Sequence, residues 1–292
     1  MKKIGSVVIS MGTAAFFLLN LSQYSFAQNP FDDANKQTLL REILNKVRHY
    51  CRKLDSATFD FICLEEISEK IDYSKDILTN GHTGVLGLGY PVPSKSRMKK
   101  NTYLYDYQFI RKNREIQERR ILLEENGKKK HEENARLKTQ AFHFKNVMFG
   151  PLGLLSEFRQ YEHTYRILKE EELNGMQAVL IEAVPKDLQS GLHLYGKIWI
   201  KKSDFSILKI EWDQKSLIEH SLIRATAKRY GAEPSLIMIT EYGIEKHGIR
   251  FPSKLLIEEA YIDKKGKKFI RSETSAIYQD YKFFTVETEI EF

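Results

Sequence analysis

From Ala34 to Leu54 the apolar residues Leu39, Leu40, Ile43, Leu44, Val47, Cys51 and Leu54 return every three or four positions. That spacing gathers them on one face of an amphipathic helix. Asp32, Asp33 and Asn35, around its start, are available as N-terminal caps. The period then shortens to two. Between Thr58 and Ile71, Phe59, Phe61 and Cys63 alternate with Asp60, Ile62 and Leu64, which predicts a strand whose far end is acidic and solvated. Tyr103, Tyr105, Tyr107 and Phe109 follow on one face of a second strand, because successive side chains of an extended chain alternate. Residues 114–126 read as its hairpin partner.

Further along, 164–171 and 176–185 flank Leu173, Asn174 and Gly175 as a hairpin. Another hairpin is predicted in LYGKIWIKKSDFSILKIEW, Leu194 to Trp212, where Ile198, Ile200, Leu208, Ile210 and Trp212 flank a polar turn at Lys201–Asp204. A meander closes the chain: strands at 236–246, 249–262 and 269–281, with turns at His247–Gly248 and at DKKGKK, and a last strand at 285–290. Residues 149–158 read as a short helix. Residues 217–230 are ambiguous, with a helix ended by Gly231 as one reading. The stretch NGHTGVLGLGYPVPSKSR at 80–97 breaks every period. It is long enough for a flap over a cavity, or for irregular packing against the outside.

About nine to eleven strands against two or three helices, mostly joined by short turns, define an α+β fold that is mainly antiparallel β. A sheet of that size curls, so the expected architecture is a half-open β-barrel whose concave face is covered by the N-terminal amphipathic helix and short helices. No repeat or linker divides residues 28–292, which are expected to form one domain.

The chain opens MKKIGSVVISMGTAAFFLLNLSQYSFAQ, with Lys2 and Lys3 ahead of an apolar run and small residues at Ser25 and Ala27. This reads as a secretory signal over residues 1–27. No cysteine stands near the cut to take a lipid, so the mature protein is expected to be soluble in the periplasm. The formal charge of +7 falls slightly without the signal, and the remaining excess suits work near anionic membrane surfaces as well as ordinary solvation. Cys51 and Cys63 lie in the exported part, where thiols tend to oxidise. They either pair as a disulfide or remain two buried thiols.

Enzymatic signatures are mostly absent. There is no GxSxG elbow, no GxxxxGK[ST] loop and no HExxH. The eight histidines stand singly, and the HEEN at His131 lacks a second histidine, so neither a metal nor a cofactor is expected. Glu65 with Glu66, and Glu258 with Glu259, are neighbours on strands and point to opposite faces, which reads as solvated strand ends. The basic stretches SKSRMKK at 94–100, GKKK at 127–130 and DKKGKK at 263–268 are turns that either meet anionic headgroups or simply discourage edge pairing. Export makes nucleic acid an improbable partner.

The segments GKIWIKKSDFSILKIEW at 196–212 and EYGIEKHGIRFPSKLLIEE at 241–259 resemble the central hairpin and the following Phe-Pro strand of the LolA/LolB type of periplasmic lipoprotein carriers. The order of signal, amphipathic helix and meander agrees. The resemblance implies an open β-barrel with helices over its mouth, no catalysis, and an interior that binds acyl chains of a lipid or an acylated lipoprotein. It also implies exchange with a donor or acceptor protein of the envelope membranes. The family's lid-locking arginine has no particular residue assigned to it here, so that role is not carried over. The cavity-lining candidates are Tyr103, Tyr105, Tyr107, Phe109, Ile198, Ile200, Leu208, Ile210 and Trp212. The alternative is a protein-interaction or sensor module of the same fold, with a filled interior.

Overall fold

A computed structural model describes residues 30–56, 59–76, 98–112, 115–142, 147–187, 194–218 and 220–285. The export segment, the 80–97 stretch and the strand expected beyond 285 lie outside these residues. Helix α1 (Pro30–Ser56) leads into four strands: β1 (Phe59–Asp72), β2 (Met98–Lys112), β3 (Glu115–Glu125) and β4 (Lys128–Glu132). Short helices α2 (Gly150–Leu155) and α3 (Glu157–Glu162) precede β5 (His163–Leu173), β6 (Met176–Pro185), β7 (Gly196–Lys201) and β8 (Ile207–Trp212). Helices α4 (Gln214–Leu217) and α5 (Ser221–Tyr230) come next, then β9 (Glu233–Glu241), β10 (Ile244–Lys246), β11 (Ile249–Phe251), β12 (Lys254–Ile262) and β13 (Lys268–Thr285).

Eleven strands form one antiparallel sheet in the order β4-β3-β2-β1-β13-β12-β9-β8-β7-β6-β5, and β10 and β11 pair separately. The sheet is strongly curled but not closed, as a half-open barrel. Two of its hairpins, at Asn126–Gly127 and Asn174–Gly175, and the separate β10–β11 hairpin, at His247–Gly248, turn on a residue followed by glycine, both at positive φ. Mirror-image turns of this kind match the right-handed twist of the paired strands.

Curling gives the sheet an inner face, and the apolar periodicity of the strands fills it. One buried cluster runs from Phe61 and Phe109 on one side to Ile181 and Ile198 on the other. Helix α1 lies across it, burying Ile43, Val47, Tyr50, Cys51 and Leu54 and touching β5, β11, α2 and α3. In the ambiguous stretch 217–230, Leu217 ends α4 and Ser221–Tyr230 form helix α5. His220 caps the start of α5 by accepting from the Leu222 amide, and Gly231 ends it in the left-handed conformation at φ 57°.

Two expected strands are each divided. The chain leaves β9 at Tyr242 and Gly243, makes the small β10–β11 hairpin, and rejoins the sheet after Pro252 and Ser253. Pro252 has no amide proton for a ladder, and the detour carries Tyr242, Ile249 and Phe251 into the core. The 149–158 helix is likewise two helices broken at Ser156, and the second runs on to Glu162.

Strand β7 approaches β8 closely at Gly196. A Cβ there would lie 2.1 Å from the Glu211 carbonyl oxygen, so only glycine fits.

Candidate functional site

The inner face brings most of the lining candidates together. Strand β2 pairs with β1 in the register Phe61↔Phe109, Cys63↔Tyr107, Glu65↔Tyr105 and Ile67↔Tyr103, which sets the four aromatics beside the inward residues of β1. Phe109 stacks on Phe61 with ring centroids 4.9 Å apart. Ile198, Ile200, Ile210 and Trp212 join the same cluster, and Trp212 donates its indole N–H to the Thr240 hydroxyl at 3.3 Å. With α1 in place these side chains are packed: Tyr107 is 7% exposed, and the other aromatics of β2 are more deeply buried.

Leu208 lies elsewhere. In the β7–β8 pairing Trp199 stands opposite Lys209, and Ile200 opposite Ile207, so Leu208 is the extra residue of a bulge. The bulge shifts its side chain to a second cluster with Ala178, Leu180 and Trp199. Strict alternation carried through 207–212 misplaces it.

The carboxylates expected at solvated strand ends are a second correction. Glu65 and Glu69 share the parity of Phe61, Cys63 and Ile67, and both are essentially fully buried. Glu65 accepts from Arg120 twice, from Nε at 2.6 Å and from a terminal nitrogen at 3.2 Å. The Arg120 guanidinium also covers the Tyr107 ring at 4.4 Å. Burial works against its charge, but Glu65, together with Tyr107 and Glu118, more than offsets it and holds the guanidinium pKa above its ordinary value. Glu259 is buried too, accepting from the Tyr261 and Ser272 hydroxyls, while Glu258 stays outside with Lys268.

Glu69 acts as a latch. Its Oε1 accepts from Asn101 at 2.6 Å and from the Tyr103 hydroxyl at 3.4 Å; its Oε2 accepts from the amides of Gln140 and Ala141 at 2.9 and 3.1 Å. Tyr103 also donates to the Lys138 carbonyl, and the Lys138 amide donates to Tyr105. Residues 135–142 are thereby strapped over this end of the inner face. The sequence signal was available: a carboxylate in phase with an apolar face requires a partner.

The opposite end is held by α1. Tyr50 accepts the Arg250 amide at 3.1 Å, and the buried Arg250 guanidinium donates to Ser206 at 2.8 Å. On the other flank Gln160 donates to the Leu44 carbonyl, and Arg48 and Arg52 reach Glu157.

Cys51 and Cys63 are free buried thiols. Burial, helped by nearby Asp55 for Cys51 and by Glu65 for Cys63, pushes both up to about 12. A raised native pKa means that the folded protein keeps its thiol protons. The stability they contribute is complete below the unfolded value of about 8.5 and is lost as pH rises toward 12. At neutral pH Ellman's reagent is expected to find no reactive thiol in the native protein and two after denaturation without reductant. A disulfide would give none in either state.

Chemically, this is a surface for apolar groups. Glu65 and Glu69 are committed to hydrogen bonds at both oxygens, leaving neither with an unengaged oxygen for proton transfer. Among the described residues no group of His, Cys, Asp and Glu is arranged to hold a metal, and no helix is long and apolar enough to cross a membrane.

No protein-family model and no curated protein matches the chain. Among solved structures it is similar to an outer membrane lipoprotein-sorting protein domain from Vibrio parahaemolyticus, at 14% identity over 84% of this chain and 93% of that one, with a TM-score of 0.42. It is similar to a LolA superfamily protein from Nitrosomonas europaea, at 11% identity over 84% and 94% of the two chains, TM-score 0.33. A DUF1329 family protein from Desulfovibrio piger is a third, at 9% identity over 85% and 94%, TM-score 0.37.

Proposed function

We propose that the chain is a periplasmic carrier that binds the acyl chains of a lipid or an acylated lipoprotein against the inner face of its sheet, without catalysing a reaction. The observation that supports this reading is the seating of α1. The helix covers an apolar face with Ile43, Val47, Tyr50 and Leu54, and most of its polar ties lie along its flanks, at Leu44, Arg48 and Arg52. An acyl chain offers the same chemistry as that helical face, at about 0.8 kcal/mol for each buried CH₂. Ligand and helix therefore compete for one surface, which keeps binding reversible. Export by residues 1–27 places the carrier between the membranes, where a membrane protein donates or accepts the cargo.

One observation favours a second reading, a protein-interaction or sensor module. The inner face is already filled while α1 is seated, with Tyr105 and Ile198 wholly buried. Titration with a fluorescent fatty acid, read together with hydrogen exchange of α1, separates the two. The carrier binds the probe and the amides of residues 43–54 exchange faster in the complex. Absence of binding by fatty acids and acylated peptides, with unchanged exchange, removes the carrier reading in favour of the module.

A further inference from the structure

Among the described residues the two most exposed large hydrophobic side chains are Phe158 and Tyr161, at 67% and 69%. Both belong to α3, three positions apart and so on adjoining parts of one helical face. Scattered apolar residues on a surface need no explanation, but two projecting aromatics side by side on one short helix make a patch. Its surroundings are basic. Arg41, Arg48 and Arg52 fall on one stripe of α1 by their spacing, and Arg48 and Arg52 bind Glu157 at the start of α3. Arg159 lies over the Phe158 ring at 5.6 Å and pairs with Glu162. Lys186 donates to the Tyr161 carbonyl at 2.6 Å. Arg48, Arg52, Arg159 and Lys186 thus stand against Glu157, Glu162 and Asp187 beside the two aromatic rings, and Arg41, further along the same stripe of α1, adds to a positive balance.

We infer that α3 and the adjoining stripe of α1 form a docking surface for an anionic phospholipid bilayer, with Phe158 and Tyr161 entering the headgroup layer. The charge balance selects the occupant. Arginines attract a negatively charged surface, while aromatic side chains with one apolar and one polar end, as in tyrosine, settle at the boundary between water and lipid. Docking here brings the bilayer against the α1–α3 contact, the flank that Gln160 and Glu157 tie together. The surface extends the carrier reading without depending on it, because none of these residues lines the inner face.

The test is co-sedimentation with vesicles of phosphatidylethanolamine and phosphatidylglycerol, against phosphatidylcholine vesicles as the uncharged control. The protein is expected to sediment with the anionic vesicles and to be released by salt. The double variant F158S/Y161S and the variant R41E each weaken the partition, the former by about tenfold. Reversing Lys128, Lys129 and Lys130 together, on the remote strand β4, leaves it unchanged. F158W supplies a direct readout, since its emission shifts to the blue on docking.

Equal partition into both kinds of vesicle, an F158W emission that does not move, or binding lost only in the β4 variant would each overturn the inference. Salt-independent capture of a protein in place of lipid would overturn it as well. Fatty-acid binding by F158S/Y161S is measured in parallel. Its retention alongside lost vesicle binding supports docking and leaves the carrier reading standing, and failure of fatty-acid binding by the unaltered protein counts against that reading alone.

Discussion

Replacing Arg120 by Met is expected to destabilise the fold by about 3–5 kcal/mol, read as the shift in urea denaturation midpoint at unchanged slope. The physical cause is the group that the substitution leaves behind. Glu65 is wholly buried and takes both strong donors from Arg120, at 2.6 and 3.2 Å, so Arg120→Met strands a carboxylate inside an apolar cluster. Removing the carboxylate as well tests this account. The double variant Glu65→Leu/Arg120→Met should recover most of the loss, because burying a matched ion pair gains little over apolar packing. A single variant within about 1 kcal/mol of the parent would mean that Glu65 finds water or another donor.

Val47→Asp is expected to separate α1 from the sheet. Val47 is completely buried where the helix meets the inner face, and an unpaired carboxylate there costs about 3 kcal/mol or more. The state that results differs between the two readings of the molecule. For a carrier with a displaceable helix, the sheet survives: far-ultraviolet circular dichroism keeps its β signal, proteases cut within residues 30–56, and an apolar dye binds the uncovered face. For a module with a filled interior, the same substitution unfolds helix and sheet together in a single transition. The parent protein and Arg41→Glu, on the outer stripe of α1, serve as controls that keep the helix seated.

The elements were largely legible in the sequence because their periods are clean. The helix at 34–54, the β2 aromatics and the hairpin at 194–212 occupy the places their spacing predicts. Three departures have local physical causes. Leu208 is displaced by one extra residue in β8, and bulges leave no mark in a count of apolar positions. Tyr242 to Ser253 leave the sheet because Gly243 and Pro252 frame a detour that looks, in the sequence, like a continuation of two strands. The acidic end of β1 reads as solvated by its charge, although the parity of Glu65 and Glu69 places them inside, and their partners Arg120 and Asn101 lie on other strands. A single chain read in order does not display such pairings. The patch at Phe158 and Tyr161 was invisible for the same reason: a 3.6-residue period says which residues share a face, and only the packing of α1 and α3 says that this face is left to solvent.

The strand order also bears on how the molecule comes into being. β13, near the end of the described chain, sits in the middle of the sheet between β1 and β12. During synthesis from the N-terminus, β1–β4 and β5–β12 can each pair only among themselves. Both growing sheets keep an open edge until residues 268–285 emerge and join them. Closure then requires contacts between opposite ends of the chain, such as Phe61 with Phe283, the kind of long-range step that sets slow folding. Any chain cut before β13 holds two uncovered edges rich in β-forming residues, and is poised to stick to its neighbours. Among the described strands, β13 is therefore the one that turns two half-sheets into a single molecule.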